Sequence, residues 1–419
     1  MDDPSASRNS EVEVDGTLAS VDSGRARSNR PPVMFHWQPS SFHGWGVYGL
    51  NLMLNWARRR DLSVCCSWPL DLSLIDISPV ERWAIQEILI SSREVWTRLK
   101  GLTGKVRLSC PVLQGLGNNL SAAESPGKVQ IFGTPTIGIV FFEWSRFDET
   151  LRQRASYFPL IVTGSTWNQR VLAGLGVDHT QTVLQGIDTT HFHPAPRTGW
   201  LAGRFAVFSG GKLERRKGQD FVIQAFRIFA QRHRDALLVT AWSSPWPRLA
   251  QSLNVNPRVQ PVPFGPDGQI DLAAWTRANG IAEKQVLHLG PVPNSQMARI
   301  LREMDVGLFP NRAEGGTNLV AMECMACAVP VILSANTGHL DLIRTDNCYA
   351  LERQEQVPDS GCMGWGESNV EEILEALEAV YRDRAEASAR ARRGAEMICE
   401  LTWGRQLNKL AALLRPYLK

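Results

Sequence analysis

The chain has 419 residues, of which 43% are hydrophobic and 21% charged, a composition typical of a soluble globular protein with two sizeable cores. Its 45 Lys and Arg residues against 42 Asp and Glu residues give a formal net charge of +3, too balanced for a general nucleic-acid binder. No apolar run reaches the roughly 18 residues that span a bilayer, and residues 1–30 lack the apolar core of a signal peptide. We therefore expect residues 1–30 to be a disordered leader and the protein to be cytoplasmic.

After residue 30, apolar β-branched runs alternate with segments of helical period. The pattern predicts strands at 33–38, 62–68, 137–144 and 159–165, with helices at 47–60 and 166–176 between them. This alternation is typical of a parallel sheet covered by helices on both faces. We therefore predict a first Rossmann-like domain over residues 31–190.

A linker is expected at residues 191–202, in a stretch that contains two prolines and has no apolar period. Beyond it the alternation restarts, with strands predicted at 205–210, 236–242, 286–290, 305–310 and 330–334, and helices at 220–233, 294–304, 318–327, 370–400 and 404–418. We therefore predict a second domain over residues 203–400 and a last helix within residues 401–419. The fold class is α/β, with two doubly wound units facing a cleft.

The loop 311-NRAEGGTNLVAME-323 follows the predicted strand 305–310 and carries two glutamates. Thr317 or Asn318 is a good N-cap for the next helix, whose first N–H groups and dipole favour an anion. Glu323 lies about 8 Å along that helix, so it cannot contact the same ligand atoms as Glu314. A nucleotide sugar, with its phosphates at the helix start and hydroxyls on both sides, fits this pattern. The alternative is that Glu314 is a solvated loop charge.

A second loop, 209-SGGKLERRKGQD-220, places two lysines beside the predicted turn before a helix. Ammonium groups there would stabilise a diphosphate leaving group. The alternative is a solvated basic turn, because Arg215 and Arg216 add charge that looks exposed.

A third loop, 39-PSSFHGWGVYGLNL-52, has the glycine spacing of a phosphate-binding turn. NAD binding is not favoured, because Asp71 is poorly placed to hold a ribose.

Zinc binding by Cys324 and Cys327 is not favoured either, since no second Cys or His pair accompanies them. We expect small buried thiols instead.

Four segments resemble glycosyltransferase family 4, and their motifs occur in the same order along residues 131–418. They are 161-IVTGSTWNQRVLAGLGVDHTQTVLQGIDTTHFHP-194, 209-SGGKLERRKGQDFVIQAF-226, 289-LGPVPNSQMARILREMDVGLFPNRAEGGTNLVAMECMACAVPVI-332 and 402-TW-403. The resemblance implies the GT-B fold, which is two Rossmann-like domains around a cleft with a C-terminal helix that crosses back to the first domain. It also implies transfer of a sugar from a nucleotide donor with retention of anomeric configuration.

The resemblance implies catalytic roles for three residues near the phosphates. Glu314 would contact the donor sugar, Lys217 matches the family's phosphate lysine, and Lys212 stands where an arginine is more usual. A lysine at this position keeps the positive charge but cannot donate the two parallel hydrogen bonds of an arginine. Glu323 would hold the ribose hydroxyls.

The remaining implied donor contacts come from glycine loops and backbone amides. They are Gly210, Gly211, Val292, Pro293, Gly315, Gly316, Thr317, Asn318 and Leu319, with Gly44 and Gly46 in the N-terminal glycine loop. Val292 and Pro293 would lie near the nucleobase. No metal or cofactor is expected, because lysines and a helix dipole would neutralise the leaving group.

Two features depart from the family pattern. The two glutamates are nine positions apart, where the family usually has eight. Residues 111–133 contain no histidine of the kind that many members use to contact the sugar, and His36 and His43 lie elsewhere.

The acceptor implied by the resemblance is a glycan or a lipid-linked saccharide. A lipid-linked acceptor would bring a peripheral membrane contact, for which Arg58, Arg59 and Arg60 at the end of the predicted helix 47–60 are candidates. A solvated helix end is the alternative. For the whole chain, the alternatives are a catalytically silent GT-B scaffold, a sugar-nucleotide epimerase and a phosphorylase.

Overall fold

Two parallel six-stranded sheets form the framework of the protein, one in each half of the chain. The computed structural model describes residues 11–14, 30–122, 129–359 and 361–418. Most of the predicted disordered leader, residues 1–30, lies outside the described residues. Within it, Glu11–Val14 is a strand, so the prediction is wrong for these four residues.

The first half contains nine strands and five helices among its described residues. The strands are β1 (Glu11–Val14), β2 (Pro32–His36), β3 (Ser63–Cys66), β4 (Gly104–Leu108), β5 (Val112–Leu116), β6 (Val129–Phe132), β7 (Thr136–Val140), β8 (Ile161–Thr163) and β9 (Thr180–Thr182). The helices are α1 (Gly44–Trp56), α2 (Pro79–Ala84), α3 (Gln86–Leu99), α4 (Leu151–Ser156) and α5 (Thr166–Gly174).

The second half repeats the alternation. Its strands are β10 (Phe205–Gly211), β11 (Ala236–Trp242), β12 (Val286–His288), β13 (Val306–Phe309), β14 (Val331–Ser334), β15 (Tyr349–Leu351), β16 (Gln354–Gln356) and β17 (Gly366–Ser368). Its helices are α6 (Gln219–Arg232), α7 (Leu272–Ala278), α8 (Asn294–Leu301), α9 (Leu319–Ala326), α10 (Val370–Arg382), α11 (Arg384–Ile398) and α12 (Trp403–Leu414).

The strand order is β3-β2-β5-β7-β8-β9 in the first sheet and β12-β11-β10-β13-β14-β15 in the second. In the second sheet, Phe208 lies opposite Val239 on one side and Gly307 on the other. The side chains of β10 are buried on both faces, with Phe205 and Val207 in one cluster and Phe208 in another. This two-sided burial is what a parallel sheet covered by helices requires.

Two smaller sheets complete the fold. Strands β1, β4 and β6 form a parallel sheet in the first half, and β16 and β17 form an antiparallel pair in the second.

The last helix, α12, packs against α1 of the first domain. The indole Nε1 of Trp56 donates to the carbonyl oxygen of Leu407 at 3.3 Å, and the backbone of Trp403 bonds to that of Ile187 at 3.1 Å. The predicted return of the C-terminal helix to the first domain is therefore present.

Most predicted elements differ from the observed ones by a few residues at their ends, and three differences are larger or bear on the predicted roles. Helix α1 begins at Gly44 and ends at Trp56, so the arginines at 58–60 lie beyond it, and Arg59 contacts Asp61. Strand β7 ends at Val140, and the residues after it contact the second domain, where Nε1 of Trp365 donates to the carbonyl oxygen of Glu143 at 2.8 Å. The predicted helix 370–400 is two helices, since the Asp383 side chain caps the start of α11 by accepting from the N–H of Glu386 at 2.9 Å.

Candidate active site

A cavity of about 270 Å³ lies between the two domains, at the carboxyl ends of strands in both sheets. This is where ligands bind in open α/β sheets. Eleven residues predicted for the site line it, namely Gly44, Gly210, Gly211, Lys212, Lys217, Val292, Glu314, Gly316, Asn318, Leu319 and Glu323.

Four other predicted residues lie outside the lining. A Cβ at Gly315 would lie 2.3 Å from the carbonyl oxygen of Phe141, so this glycine permits close contact between the domains. Thr317 is fully buried and its hydroxyl contacts Sδ of Met322 at 3.0 Å. Gly46 packs against Ser40, and Pro293 is the N-cap of α8.

The start of α9 faces the cavity, and Asn318 is its N-cap. Asn318 adopts a left-handed conformation with φ of 64°, and its side chain accepts from the N–H of Ala321 at 3.4 Å. Its Nδ2 lies 3.0 Å from Nε2 of His339. Burial lowers the pKa of His339 to about 4, so at neutral pH its Nε2 accepts a hydrogen bond from Asn318. This bond fixes the cap that orients the first N–H groups of α9.

The carboxylate of Glu314 is buried among cations, with 4% of the residue exposed. Its Oε1 accepts from Nζ of Lys217 at 2.5 Å, and its Oε2 accepts from Nη1 of Arg216 at 3.1 Å. Burial opposes ionisation, but the charges of Lys217 and Arg216 outweigh it and lower the pKa of Glu314 to about 2. Glu314 is therefore an ionised carboxylate rather than a solvated loop charge.

Arg216 is the main functional candidate that the sequence pattern does not indicate, because it lies in a run of basic residues typical of a solvated turn. The residue is 4% exposed and lines the cavity. Its Nη2 lies 2.6 Å from Glu214 and 3.2 Å from Glu143, in addition to the contact with Glu314. These three carboxylates outweigh the effect of burial and raise the pKa of Arg216 above its usual value. We call Glu143, Arg216, Lys217 and Glu314 the charged end of the cleft.

Lys212 is more open than Lys217. One third of its side chain is exposed, at 33%, and its Nζ lies 4.0 Å from Glu214. The same Nζ lies 5.2 Å from the centre of the Trp246 ring, which also lines the cavity. Lys212 is thus a partly exposed cation at the rim of the cavity.

Glu323 lies in α9 and is buried to the same extent as Glu314, at 4% exposure, but no cation among the described residues pairs with it. Its Oε1 accepts from Nδ2 of Asn294 at 2.5 Å. Burial raises the pKa of Glu323 to about 8, against the smaller opposing effect of that hydrogen bond. The carboxyl is therefore mostly protonated at neutral pH. We call Glu323 and Asn294 the neutral end of the cleft.

The first domain closes the cleft with a largely aromatic wall. Trp45 and Phe141 line it with their rings 4.8 Å apart, and Glu143 and His43 add polar groups. Burial, followed by the charge of Lys212, lowers the pKa of His43. The histidine-free segment 111–133 contributes nothing to the lining in its described residues, whereas the loop after β7 does.

Comparison with known proteins concerns the family and the fold. Residues 204–383 match the family described as Glycosyl transferases group 1. The resemblance to group 1 glycosyltransferases is confirmed. The narrower assignment to family 4 is consistent with this match and stays a prediction.

Two curated relatives share part of the sequence. D-inositol 3-phosphate glycosyltransferase of Arthrobacter sp. (strain FB24) is 28% identical over 168 residues, which is 38% of this chain and 35% of the relative. D-inositol 3-phosphate glycosyltransferase 1 of Catenulispora acidiphila is 28% identical over 184 residues, which is 41% of this chain and 39% of the relative. The matched region thus spans little more than a third of each relative.

Solved structures share the fold over nearly the whole chain. Sucrose-phosphate synthase of Thermosynechococcus elongatus superposes with a TM-score of 0.59 at 15% identity, covering 92% of this chain and 99% of that one. The Anabaena protein HepE, solved with UDP and glucose, superposes with a TM-score of 0.60 at 13% identity, covering 92% and 100%. The predicted GT-B fold is therefore confirmed.

Proposed function

We propose that the protein is a retaining glycosyltransferase that moves a sugar from a nucleotide diphosphate donor to a hydroxyl of a glycan or a lipid-linked saccharide. The observation that carries the proposal is that two buried glutamates with separate hydrogen-bond partners line one cleft, together with a helix N-terminus and two lysines. A nucleotide sugar has hydroxyls on both sides of a diphosphate, and this arrangement complements it.

In this proposal, the diphosphate lies at the start of α9, beside Lys217 and Lys212. Lys217 has three N–H donors, of which Glu314 takes one. Glycines at the end of β10 support a close approach of backbone to phosphate, since a Cβ at Gly211 would lie 3.5 Å from the Lys217 side chain and its φ is 125°.

The ribose hydroxyls contact Glu323, and the donor sugar contacts Glu314. A neutral Glu323 can donate as well as accept hydrogen bonds, which suits a diol. The ionised Glu314 accepts from sugar hydroxyls and stabilises the positive charge that develops at the anomeric carbon.

The transfer then proceeds on one face of the sugar. As the bond from the anomeric carbon to the phosphate oxygen breaks, the acceptor oxygen bonds to that carbon, and the departing phosphate oxygen takes the acceptor's proton. The protein supplies positioning and electrostatics. The two lysines and the dipole of α9 balance the charge of the leaving group, so the proposal needs no metal ion, and EDTA should leave the rate unchanged.

A lipid-linked acceptor would place the protein at a membrane surface. Among the described residues, no helix combines the length and the apolar character needed to cross a bilayer. Arg58 and Arg60 are exposed, whereas Arg59 is held by Asp61 and Asn408. A peripheral contact through Arg58 and Arg60 stays part of the proposal.

A thermal-shift screen against UDP, GDP, ADP and their common sugar conjugates tests the proposal, starting with UDP and UDP-glucose. A ligand at 100 times its Kd stabilises the folded state by about 2.7 kcal/mol. We expect one nucleotide and its sugar conjugates to raise the melting temperature. No shift with any of them would contradict the proposal and favour a silent scaffold. Conversion of the donor without an acceptor would indicate an epimerase, and a requirement for inorganic phosphate would indicate a phosphorylase.

A further inference from the structure

One residue of the first domain makes an ionic contact inside the charged end of the cleft. Glu143 follows β7, and its Oε1 lies 3.2 Å from Nη2 of Arg216, which belongs to the second domain. The side chain of Glu143 is 28% exposed and lines the cavity, while that of Arg216 is 5% exposed. Among the cavity-lining residues that the structure describes, Glu143 is the one carboxylate from the first domain.

The backbone of Glu143 is held from both sides of the cleft. Its N–H donates to Oδ1 of Asn118 in the first domain at 3.0 Å. Its carbonyl oxygen accepts from Nε1 of Trp365 in the second domain at 2.8 Å. The position of its side chain is therefore tied to how closely the two domains approach.

The surrounding contacts form a clasp, which we define as residues 143–146 against residues 361–365. The rings of Trp144 and Trp365 lie 4.5 Å apart, and the N–H of Ser145 donates to the carbonyl oxygen of Gly361 at 2.8 Å. Arg146, next to it, pairs with Asp359 at 3.1 Å on the open surface, where 71% of the Arg146 side chain is exposed. The clasp thus lies between two ion pairs, Glu143–Arg216 in the cleft and Arg146–Asp359 on the open surface.

Arg216 links Glu143 to Glu314, because its guanidinium contacts both carboxylates. The guanidinium that faces Glu143 through Nη2 donates to Glu314 through Nη1 at 3.1 Å. A guanidinium is planar and rigid, so a displacement of one nitrogen displaces the other. Without Glu143, the guanidinium could turn about the contact with Glu214, and Glu314 would then lose its orientation toward Lys217.

We propose that Glu143 is a positioning residue that, through Arg216, sets the geometry of Glu314 and Lys217 when the domains are closed. The charged end of the cleft thereby includes a side chain of the first domain, whereas at the neutral end the first domain contributes a backbone contact, in which the carbonyl oxygen of Ser41 accepts from the N–H of Asn294 at 2.7 Å. This inference rests on the proposed glycosyl transfer, for which Glu314 must be oriented toward the donor sugar.

The test compares wild type with Glu143→Gln in steady-state kinetics, measured as UDP release from UDP-glucose or from whichever sugar nucleotide stabilises wild type most in the thermal screen. Glutamine keeps the size of the side chain and removes the charge that holds Arg216. We expect kcat to fall about 10- to 100-fold, because small misplacements of a catalytic group have effects of that size. The KM for the donor should change by less than about 3-fold, since the nucleotide contacts are untouched.

Arg146→Ala is the matched control, because it removes an ion pair between the domains that lies outside the cleft. We expect its kcat to stay within about 2-fold of wild type, as for exposed pairs in general. Three results would overturn the proposal: an unchanged kcat in Glu143→Gln, an equal loss in Arg146→Ala, or a loss confined to KM. Absence of turnover by wild type, together with no stabilisation by any sugar nucleotide in the thermal screen, would instead contradict the proposed function, and this inference would fall with it.

Discussion

The charged end and the neutral end of the cleft each contain one glutamate, and the two glutamates are equally buried. Glu314 and Glu323 are each 4% exposed, but Glu314 contacts Lys217 and Arg216, whereas Glu323 contacts the amide of Asn294. The pKa of Glu314 is lowered to about 2 by its cations, and that of Glu323 is raised to about 8 by burial. Neighbouring charges, rather than burial, therefore decide which of the two carboxyl groups is ionised.

The largest effect is expected from Glu314→Gln, which leaves Lys217 and Arg216 buried without one of their anions. Breaking a buried ion pair from one side costs about 3–5 kcal/mol. We expect a loss of that size in the free energy of unfolding, measured by urea denaturation, together with loss of turnover. Glu323→Gln is the matched control, and it should not lower the free energy of unfolding, because an amide replaces an acid that is neutral in the folded protein. Equal losses in the two variants would mean that the two ends do not differ in charge.

A second comparison concerns ligand binding at the neutral end. Glu323→Ala removes the group assigned to the ribose and should weaken UDP binding about 5- to 100-fold, as expected for the loss of two neutral hydrogen bonds of about 0.5–1.5 kcal/mol each. Isothermal titration calorimetry measures this directly. Wild-type affinity in a variant that remains folded would contradict the assignment.

The contributions of Glu314 and Glu323 to stability change in opposite directions with pH. The folded-state pKa of Glu323, about 8, lies above its ordinary value of 4.5, so between these values the folded protein binds more protons than the unfolded chain. This contribution to stability is complete below about pH 4.5 and is lost as the pH rises toward 8. The pKa of Glu314 is lowered to about 2, so its contribution is present above 4.5 and is lost as the pH falls.

Comparison with variants isolates Glu323 from other groups that titrate in the same range. Buried His36 and His339, whose pKa values burial lowers to about 4, change stability in the opposite direction below pH 6.5. The difference in free energy of unfolding between wild type and Glu323→Gln removes their effect. We expect the free energy of unfolding of wild type to fall relative to that of Glu323→Gln as the pH rises from 5 to 8. A difference that does not change with pH would show that Glu323 is already ionised at pH 5.

The smallest effect is expected at the rim. Lys212→Ala removes a cation whose side chain is 33% exposed, so UDP affinity should fall only about 3- to 10-fold, and the loss should shrink in high salt. Uridine, which has no phosphate, serves as the control ligand and should bind both proteins equally. A loss as large as that of Glu323→Ala would place Lys212 deeper in the site than the structure does.

The fold was predictable from the sequence because its signal is local and repeated. Runs such as 205-FAVFSG-210 and 236-ALLVTAW-242 are buried on both faces, and this burial requires the apolar pattern that predicts a strand. The break at Asp383 was not predicted, since its capping bond to Glu386 leaves the apolar pattern on both sides unchanged.

Cleft-lining residues were predictable only where the sequence of their own loop marks them. Glu314, Lys217 and Glu323 are marked by glycines and helix starts in their own loops. Arg216 and Glu143 acquire their roles by meeting across the domains, and no local pattern marks such a pair. Gly315 was assigned to phosphate, but its lack of a side chain is required by contact with Phe141 of the other domain.

The measurement that tests the central claim most directly compares four affinities by isothermal titration calorimetry. UDP and 2′,3′-dideoxy-UDP are each bound to wild type and to Glu323→Ala. If Glu323 holds the ribose, removing both hydroxyls should weaken binding to wild type about 5- to 100-fold and to Glu323→Ala by less than about 3-fold. Equal losses in the two proteins would show that the ribose does not contact Glu323, and would contradict the placement of one nucleotide sugar between the two glutamates.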